Sequence, residues 1–522
     1  MNIAASILDV LSREPARAAV REPSGKTTSR GTLRAYAIAL AIELRARGFR
    51  PGDHAVLQVP NGAALAASVI AVLLAGGVPV LCEPGLGDEV YLSRVRASGA
   101  RWLLLHPLLR VIRALPPIVS ALRKREIFVP PVPSARDGLE TVWIADRTLA
   151  RLASRTSGVG HFEPVDRSPE DDAVLVFTGG TTAVPRGVRL SHGALERYLA
   201  NIASVIEGAK VESFLADTPQ QVLYALRLGK SASTTYGRKK RRAAHVERTI
   251  RTGLVDAYFG SPFVFVEMMS APGALARPLP ATLETVLLGS APVTAEFLGS
   301  LRRWLAPTTR IRSIYGLTEA GPVCVVDADT KLAYRGEGDL VGAPLEGVRL
   351  SIEPLPGRTD IGEVIVHSDA LYTGYLGEPP RGLDEGLRTG DLGRLIDIDG
   401  CPQLVLMGRA KDMIVRAGVN VYPACHEPIV RGLRDGRGQP MIRECAMLGV
   451  WDSSRQDERI VLCVQPTTGV GMTPDELRER VARVLGPDVL PDDYFVIDPI
   501  PVTGRQNKVD KVALRARIAG GG

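Results

Sequence analysis

The sequence predicts an α/β fold: a large amino-terminal domain of layered α/β subdomains plus a β-rich subdomain, then a small α+β domain. Three observations carry this expectation. Helix-period and strand-period patterns alternate over roughly the first 400 residues, the signature of α/β layers. From Ala333 the texture turns to short strands broken by Gly and Pro. After Arg409 a second mixture of strands and one well-capped helix begins. At 522 residues the chain exceeds what one core supports, so we divide it into 1–410 and 411–522, with the boundary at Lys411.

The elements follow in order. "LRAYAIALAIELRARGF" spaces its apolar residues for a helix that stops at Gly48. "DHAVLQVP" and "ARWLLLH" read as strands. Gly62–Cys82 is long and uncharged, yet its Gly-Gly break and Val-Pro-Val tail argue for a buried Ala-rich helix, a turn and a buried strand rather than a membrane span. "DDAVLVFTGG" is a strand running straight into glycines, at the end of a sheet where ligands bind. "LVGAPLEGVRLSIEPL", "GEVIVHS" and "GCPQLVLMGR" supply the β-rich part. "ECAMLGVW", "RIVLCVQP" and the helix opened by Thr473 and Pro474 supply the last domain.

Composition excludes several classes. A 45% hydrophobic and 23% charged chain with mean hydropathy +0.07 is that of a globular protein, neither disordered nor membrane-embedded. The six cysteines form no C-x-x-C pair and no zinc spacing, so they read as buried thiols of a reducing compartment, and we place the protein in the cytoplasm. A net charge of +7 favours anionic ligands. The run "GRKKRR" (Gly237–Arg242) raises nucleic acid as an alternative partner, but without interleaved aromatics it reads better as a solvated loop between a strand and a helix. Lysines are scarce, 10 against 54 arginines, so each retained lysine deserves notice.

Five stretches carry chemistry. In "FTGGTTAVPRGV" the glycines let backbone N–H groups approach an anion, the threonines add hydroxyls and Arg186 supplies charge. The Walker spacing is absent. "SIYGLTEAG" places Glu319 among small residues after a strand, suited to a divalent cation beside a nucleotide. "LRTGDLGRLIDIDG" presents Asp391 on a turn that suits a ribose diol. "GRAKDMIVRAGVNVYP" brings Arg409, Lys411 and Asp412 to the boundary. "PVTGRQNKVDK" offers Lys508 and Lys511 in a Gly/Asn turn.

Together these stretches resemble the adenylate-forming superfamily of acyl-CoA synthetases, luciferases and nonribosomal-peptide adenylation domains, over nearly the whole chain. The resemblance implies that Thr178, Gly179, Gly180, Thr181 and Thr182 hold the ATP phosphates. It sets Gly289, Ser290 and Ala291 along adenine with Tyr315 stacked on the base and Gly316 beside it. Thr318 and Glu319 become the phosphate and Mg²⁺ contacts, Asp391 and Arg409 the ribose contacts, and Lys411 the hinge. Lys508 bridges the substrate carboxylate and the α-phosphate; Thr182, Glu319 and Arg186 complete the catalytic set. The implied reaction forms acyl-AMP from a carboxylic acid and ATP, releases pyrophosphate, and then passes the acyl group to the thiol of coenzyme A, the small domain being mobile and rotating between the two steps.

Departures from the family pattern sharpen the expectation. Gly179, Ala183 and Arg186 replace the usual Ser, Gly and Lys. The terminal lysine turn is one residue longer, with Asn507 for Gly. Ala417 precedes Gly418 where two glycines line the pantetheine tunnel, which leaves open an adenylate-only enzyme, one loading an acyl carrier protein, or a β-lactone synthetase. "TPQQVLYAL" stands where an aromatic-histidine pair is usual, so Gln220 and Gln221, with Tyr258, Gly260 and Ser261 of "YFGSPFVFVEMM", are expected to wall the acyl pocket. Lacking an acidic residue for an α-amino group, that pocket suits a bulky, mainly apolar carboxylate of bacterial secondary metabolism. A non-catalytic nucleotide-binding protein is the competing class.

Overall fold

The computed structural model describes residues 2–82, 88–124, 129–133, 138–156, 161–177, 186–216, 218–235, 239–355, 360–382, 385–416, 419–452, 457–503 and 508–519. Among these, two large sheets dominate, one of 13 strands and one of seven. In the seven-stranded sheet His54–Gln58, Val78–Cys82, Trp102–Leu105, Glu140–Trp143 and Asp172–Phe177 run parallel. The larger sheet has a parallel middle of Ser231–Thr234, Ser213–Ala216, Ala257–Gly260, Thr285–Leu288 and Arg310–Leu317. The expected α/β layering is therefore present.

The segment Gly62–Cys82 folds as the pattern foretold, into helix Ala63–Leu74 and strand Val78–Cys82. That helix is buried along its length, which explains a run with no polar face. No helix among the described residues is long and apolar enough to cross a membrane. Helix Arg30–Ala46 packs beside it and is terminated at Gly48, whose φ of +92° suits glycine. Arg30–Ala46 starts on Ser29, whose side chain accepts from the Thr32 N–H.

The β-rich stretch does not stand apart as a sheet of its own. Asp339–Pro344 pairs with Gly321–Asp327, so the strands from Val348–Pro354 to Cys401–Arg409 extend the 13-stranded sheet. Beyond the short 3₁₀ turn Ala410–Asp412 lies a separate three-stranded sheet of Ile442–Asp452, Asp457–Pro466 and Asp493–Val496, with its own apolar cluster around Met447, Leu462 and Leu477. Helix Pro474–Val481 covers it, capped by Thr473 as its sequence indicates.

Two readings need correction. The basic run is helical from Lys239, which opens helix Lys239–Arg251, and Arg242 is buried rather than solvated. The six thiols are unpaired, but Cys401 is exposed, because it sits at the turn-proximal end of an outer hairpin rather than in a core.

Candidate active site

The carboxyl-terminal ends of both sets of parallel strands open into one continuous cleft of about 3300 Å³. Tyr315, Glu319, Asp391 and Arg409 line it from the larger part of the chain; Lys411 and Lys508 line it from the smaller. Strand ends present loops and unpaired backbone groups, so polar side chains gather there without breaking a ladder.

Asp391 anchors the site. Strands Leu387–Ile398 and Cys401–Arg409 are joined by Asp399-Gly400, both at positive φ, the dipeptide that a two-residue hairpin requires. That turn sets Ile398 opposite Cys401, and the register holds to Gly393 opposite Leu406. A bulge then slips it by one residue, so that Asp391 meets Arg409; without it Asp391 would face Gly408. Arg409 Nε lies 2.7 Å from Asp391 Oδ1, and Tyr315 Oη donates to Asp391 Oδ2 at 2.7 Å. The Asp391 N–H donates to Thr389 Oγ1 at 3.0 Å. Asp391 is only 6% exposed. Burial pushes its pKa above the ordinary carboxylate value, against the pull of Arg409, of the Tyr315 bond and of the nearby Lys508 charge. Burial and the Asp391 charge likewise push the Tyr315 phenol well up. A carboxylate has about four lone-pair sites; two are taken, so a vicinal diol can still be accepted.

Glu319 lies on the tight turn between Arg310–Leu317 and Gly321–Asp327. A Cβ at Gly316 would stand 2.2 Å from the Gly321 carbonyl, so the turn needs glycine there. The Glu319 carbonyl accepts from the Tyr372 N–H at 2.7 Å, and its Oε1 accepts from Tyr375 Oη at 3.0 Å. The Arg186 guanidinium sits over the Tyr375 ring, 5.1 Å from its centroid. Tyr375 therefore ties Glu319 to the exit of the glycine-threonine loop. Sequence reasoning missed it, since "LYTGYLG" shows only a tyrosine in a turn. Thr318 and Gly316 also line the cleft. Residues 178–182 lie outside the described residues, as do Ala417 and Gly418.

Gly289, Ser290 and Ala291 follow strand Thr285–Leu288 into the cleft. A Cβ at Gly289 would come 3.2 Å from the Ile314 carbonyl, and Ser290 takes φ +66°, a conformation that non-glycine residues adopt at a cost. The chain thus turns from the buried Gly289 to the exposed Ser290, a ledge on the cleft wall.

The two lysines near the carboxyl terminus diverge. Thr503 pairs with Lys508, which faces the cleft near enough to Asp391 for its charge to lower that carboxyl's pKa. Lys511 instead lies 3.4 Å from Glu427 and 3.8 Å from Asp412, tying the last helix to the 3₁₀ turn. Arg434 makes an ion pair with Glu296 across the cleft.

The acyl wall differs from expectation. Thr218 and Gln221 form a capping box on helix Pro219–Arg227, and Gln221 Nε2 donates to the Phe259 carbonyl at 2.7 Å. Gln221 lines the cleft with its amide already committed; Gln220 lines it beside it. Tyr258, Gly260 and Ser261 are not among the described lining residues. Successive strand residues point to opposite faces, so when Phe259 faces the cleft Tyr258 turns inward, fully buried and edge-on to Phe265 at 5.0 Å. Gly260 packs on the Tyr258 ring, where a Cβ would stand 2.5 Å from its hydroxyl, and that hydroxyl donates to the Ser261 carbonyl.

The sequence model described as "AMP-binding enzyme" matches residues 9–376. Feruloyl-CoA synthase of an Amycolatopsis species is 28% identical over 92% of this chain and 91% of its own. 4-Coumarate–CoA ligase 3 of Oryza sativa subsp. japonica is 25% identical over 92% and 85%. In structure, ATP-bound MatB from Rhodopseudomonas palustris superposes with a TM-score of 0.79 at 21% identity, covering 99% of each chain.

Proposed function

This chain belongs to the AMP-binding enzyme family, and from that premise we propose that it couples an apolar carboxylic acid to ATP and then to coenzyme A. The observation that carries the proposal is the meeting of Asp391, Tyr315 and Arg409 with Lys508 in one cleft. In this reading the substrate carboxylate attacks the α-phosphorus, a P–O bond to it forms, and the bond to pyrophosphate breaks. Two anions must approach, so the chain's cations carry the step: Lys508 beside the α-phosphate and Arg186 at the phosphate loop. Asp391 accepts the ribose hydroxyls and Tyr315 covers the base from the Gly289–Ala291 ledge. Glu319 keeps Oε2 without a partner among the described residues, which fits a carboxylate that would hold Mg²⁺ beside the phosphates. Held there, Mg²⁺ would supply charge neutralisation of the phosphates. Residues 411–522 form the mobile part in this proposal, hinged at Lys411, and bring the thiol to the adenylate in the second step.

The names of the two sequence relatives support a CoA acceptor. Ala417, in place of a glycine beside Gly418, favours one second reading, transfer to a carrier protein or to no thiol at all. Incubation with ATP, Mg²⁺, CoA and a panel of apolar acids tests both: pyrophosphate, AMP and acyl-CoA are expected. Pyrophosphate with acyl-AMP accumulating in the presence of CoA selects the second reading. No pyrophosphate with any acid overturns the proposal.

A further inference from the structure

The same cleft reaches the end of strand His54–Gln58, where Gln58 and Asn61 line it. Gln58 is 2% exposed. Its Nε2 donates to the Pro131 carbonyl at 2.8 Å and to Tyr91 Oη at 3.2 Å. A carbonyl only accepts, so the nitrogen end is fixed and Oε1 is the end left over. That oxygen is buried with no hydrogen-bond partner among the described residues, and so are both Oδ1 and Nδ2 of Asn61. A buried polar atom without a partner costs on the order of 1–3 kcal/mol, and such atoms are rare enough to need a reason. Three of them sit at or just past one strand end, on Gln58 and Asn61, in a cleft lined also by the apolar Leu109, Ile112, Leu122 and Val129 and, beside Asn61, by Glu22, whose carboxylate accepts from the Ala63 N–H.

Resting on the adenylation reading above, we propose that this chamber receives the far end of the acid substrate, and that the acid carries a hydroxyl or amide there. A hydroxyl donates its one proton to Gln58 Oε1 and accepts from Asn61 Nδ2; an amide, with two N–H groups, can also reach Asn61 Oδ1. The apolar walls accept the carbon skeleton between that group and the carboxylate. The substrate class is thus an apolar acid bearing a hydrogen-bonding group remote from its carboxylate.

Matched pairs of acids test this: decanoate against ω-hydroxydecanoate, and cinnamate against para-hydroxycinnamate, each followed by pyrophosphate release. The hydroxylated member of at least one pair is expected to have a kcat/KM about tenfold or more higher, because a site built for a hydroxyl rejects the analogue lacking it. Gln58→Met, with a melting curve near that of the native chain, should bring that ratio close to one. A merely structural Gln58 would lower both members together and leave the ratio unmoved, which overturns the inference. Equal use of both members by the native chain overturns it as well, while leaving adenylation standing. Pyrophosphate from no acid at all brings down the adenylation reading instead, and this inference with it.

Discussion

At the nucleotide end of the cleft Asp391 has both carboxylate oxygens engaged, by Arg409 and Tyr315, before any ligand arrives. At the acyl end Gln58 and Asn61 present three polar atoms without partners among the described residues. The nucleotide end is preorganised by the protein's own hydrogen bonds, which reduces what must reorganise during the reaction. The acyl end leaves its polar atoms for the substrate to complete, which suits selection among acids. One cleft thus separates the chemistry from the choice of what undergoes it.

The contrast is sharpest at the two lysines. If Lys508 belongs to the nucleotide end and Lys511 to the scaffold, their alanine variants should fail differently. Lys508→Ala is expected to lower pyrophosphate release by about 1000-fold, as loss of one preorganised donor at developing charge does, while its melting curve stays unchanged. Lys511→Ala leaves Glu427 and Asp412 without their shared cation; this partly exposed pair should cost about 1 kcal/mol of stability, read by urea unfolding, with adenylation falling less than tenfold. The reverse pattern would exchange the two roles.

A buried histidine outside the lining of the cleft offers a pH test. The Ile3 N–H donates to His192 Nδ1 at 3.2 Å, joining the first helix to helix His192–Ile206, and His192 is fully buried. Burial foremost, with the Arg167 charge next, holds its pKa down to about 4. The fold therefore prefers the neutral ring, whereas the unfolded chain takes up a proton near pH 6.5. Stability from this residue is present above about pH 6.5 and is lost as pH falls towards 4, by about 3 kcal/mol in all. His192→Gln keeps an acceptor for Ile3 and removes the titration, so its unfolding free energy should change less between pH 7 and pH 4.5.

Tyr375 probes how rigid the nucleotide end must be. Tyr375→Phe removes the hydrogen bond to Glu319 and keeps the ring beneath Arg186. A neutral donor to a carboxylate is worth roughly 1.5–3 kcal/mol at most, so kcat should fall about tenfold and the Mg²⁺ concentration for half-maximal rate should rise. An unchanged Mg²⁺ dependence would leave Tyr375 a packing residue.

How far the sequence disclosed this arrangement depends on what fixes each residue. The layering, the buried run at Gly62–Cys82 and the capped helix after Thr473 follow from periodicity and caps, which are local. The Asp399-Gly400 turn is likewise local, and it starts the register that brings Asp391 towards Arg409. The bulge that completes that meeting leaves no local mark, and neither does the reach of Tyr375 to Glu319. The acyl wall was least legible, because the side a strand residue faces is decided by what packs behind it. Thr218-x-x-Gln221 did carry a capping-box signature. Gln58, a lone amide in an apolar strand, was the other mark available.

The strand Ala257–Gly260 gives the mildest test of where the acyl wall runs. Phe259 lines the cleft and Tyr258 packs on Phe265 behind it. Tyr258→Phe deletes only the hydroxyl that donates to the Ser261 carbonyl at 3.0 Å. Its cost is about 1 kcal/mol of stability, and the ranking of acids by kcat/KM should not change. Phe259→Ala enlarges the cleft at the wall itself and should reorder that ranking towards bulkier acids, with a smaller loss of stability than a core phenylalanine would show because the ring is only partly buried. If Tyr258→Phe reorders the acids and Phe259→Ala does not, the two faces of the strand are assigned the wrong way round. The acyl end would then lie on the side of the Phe265 cluster, away from Gln58.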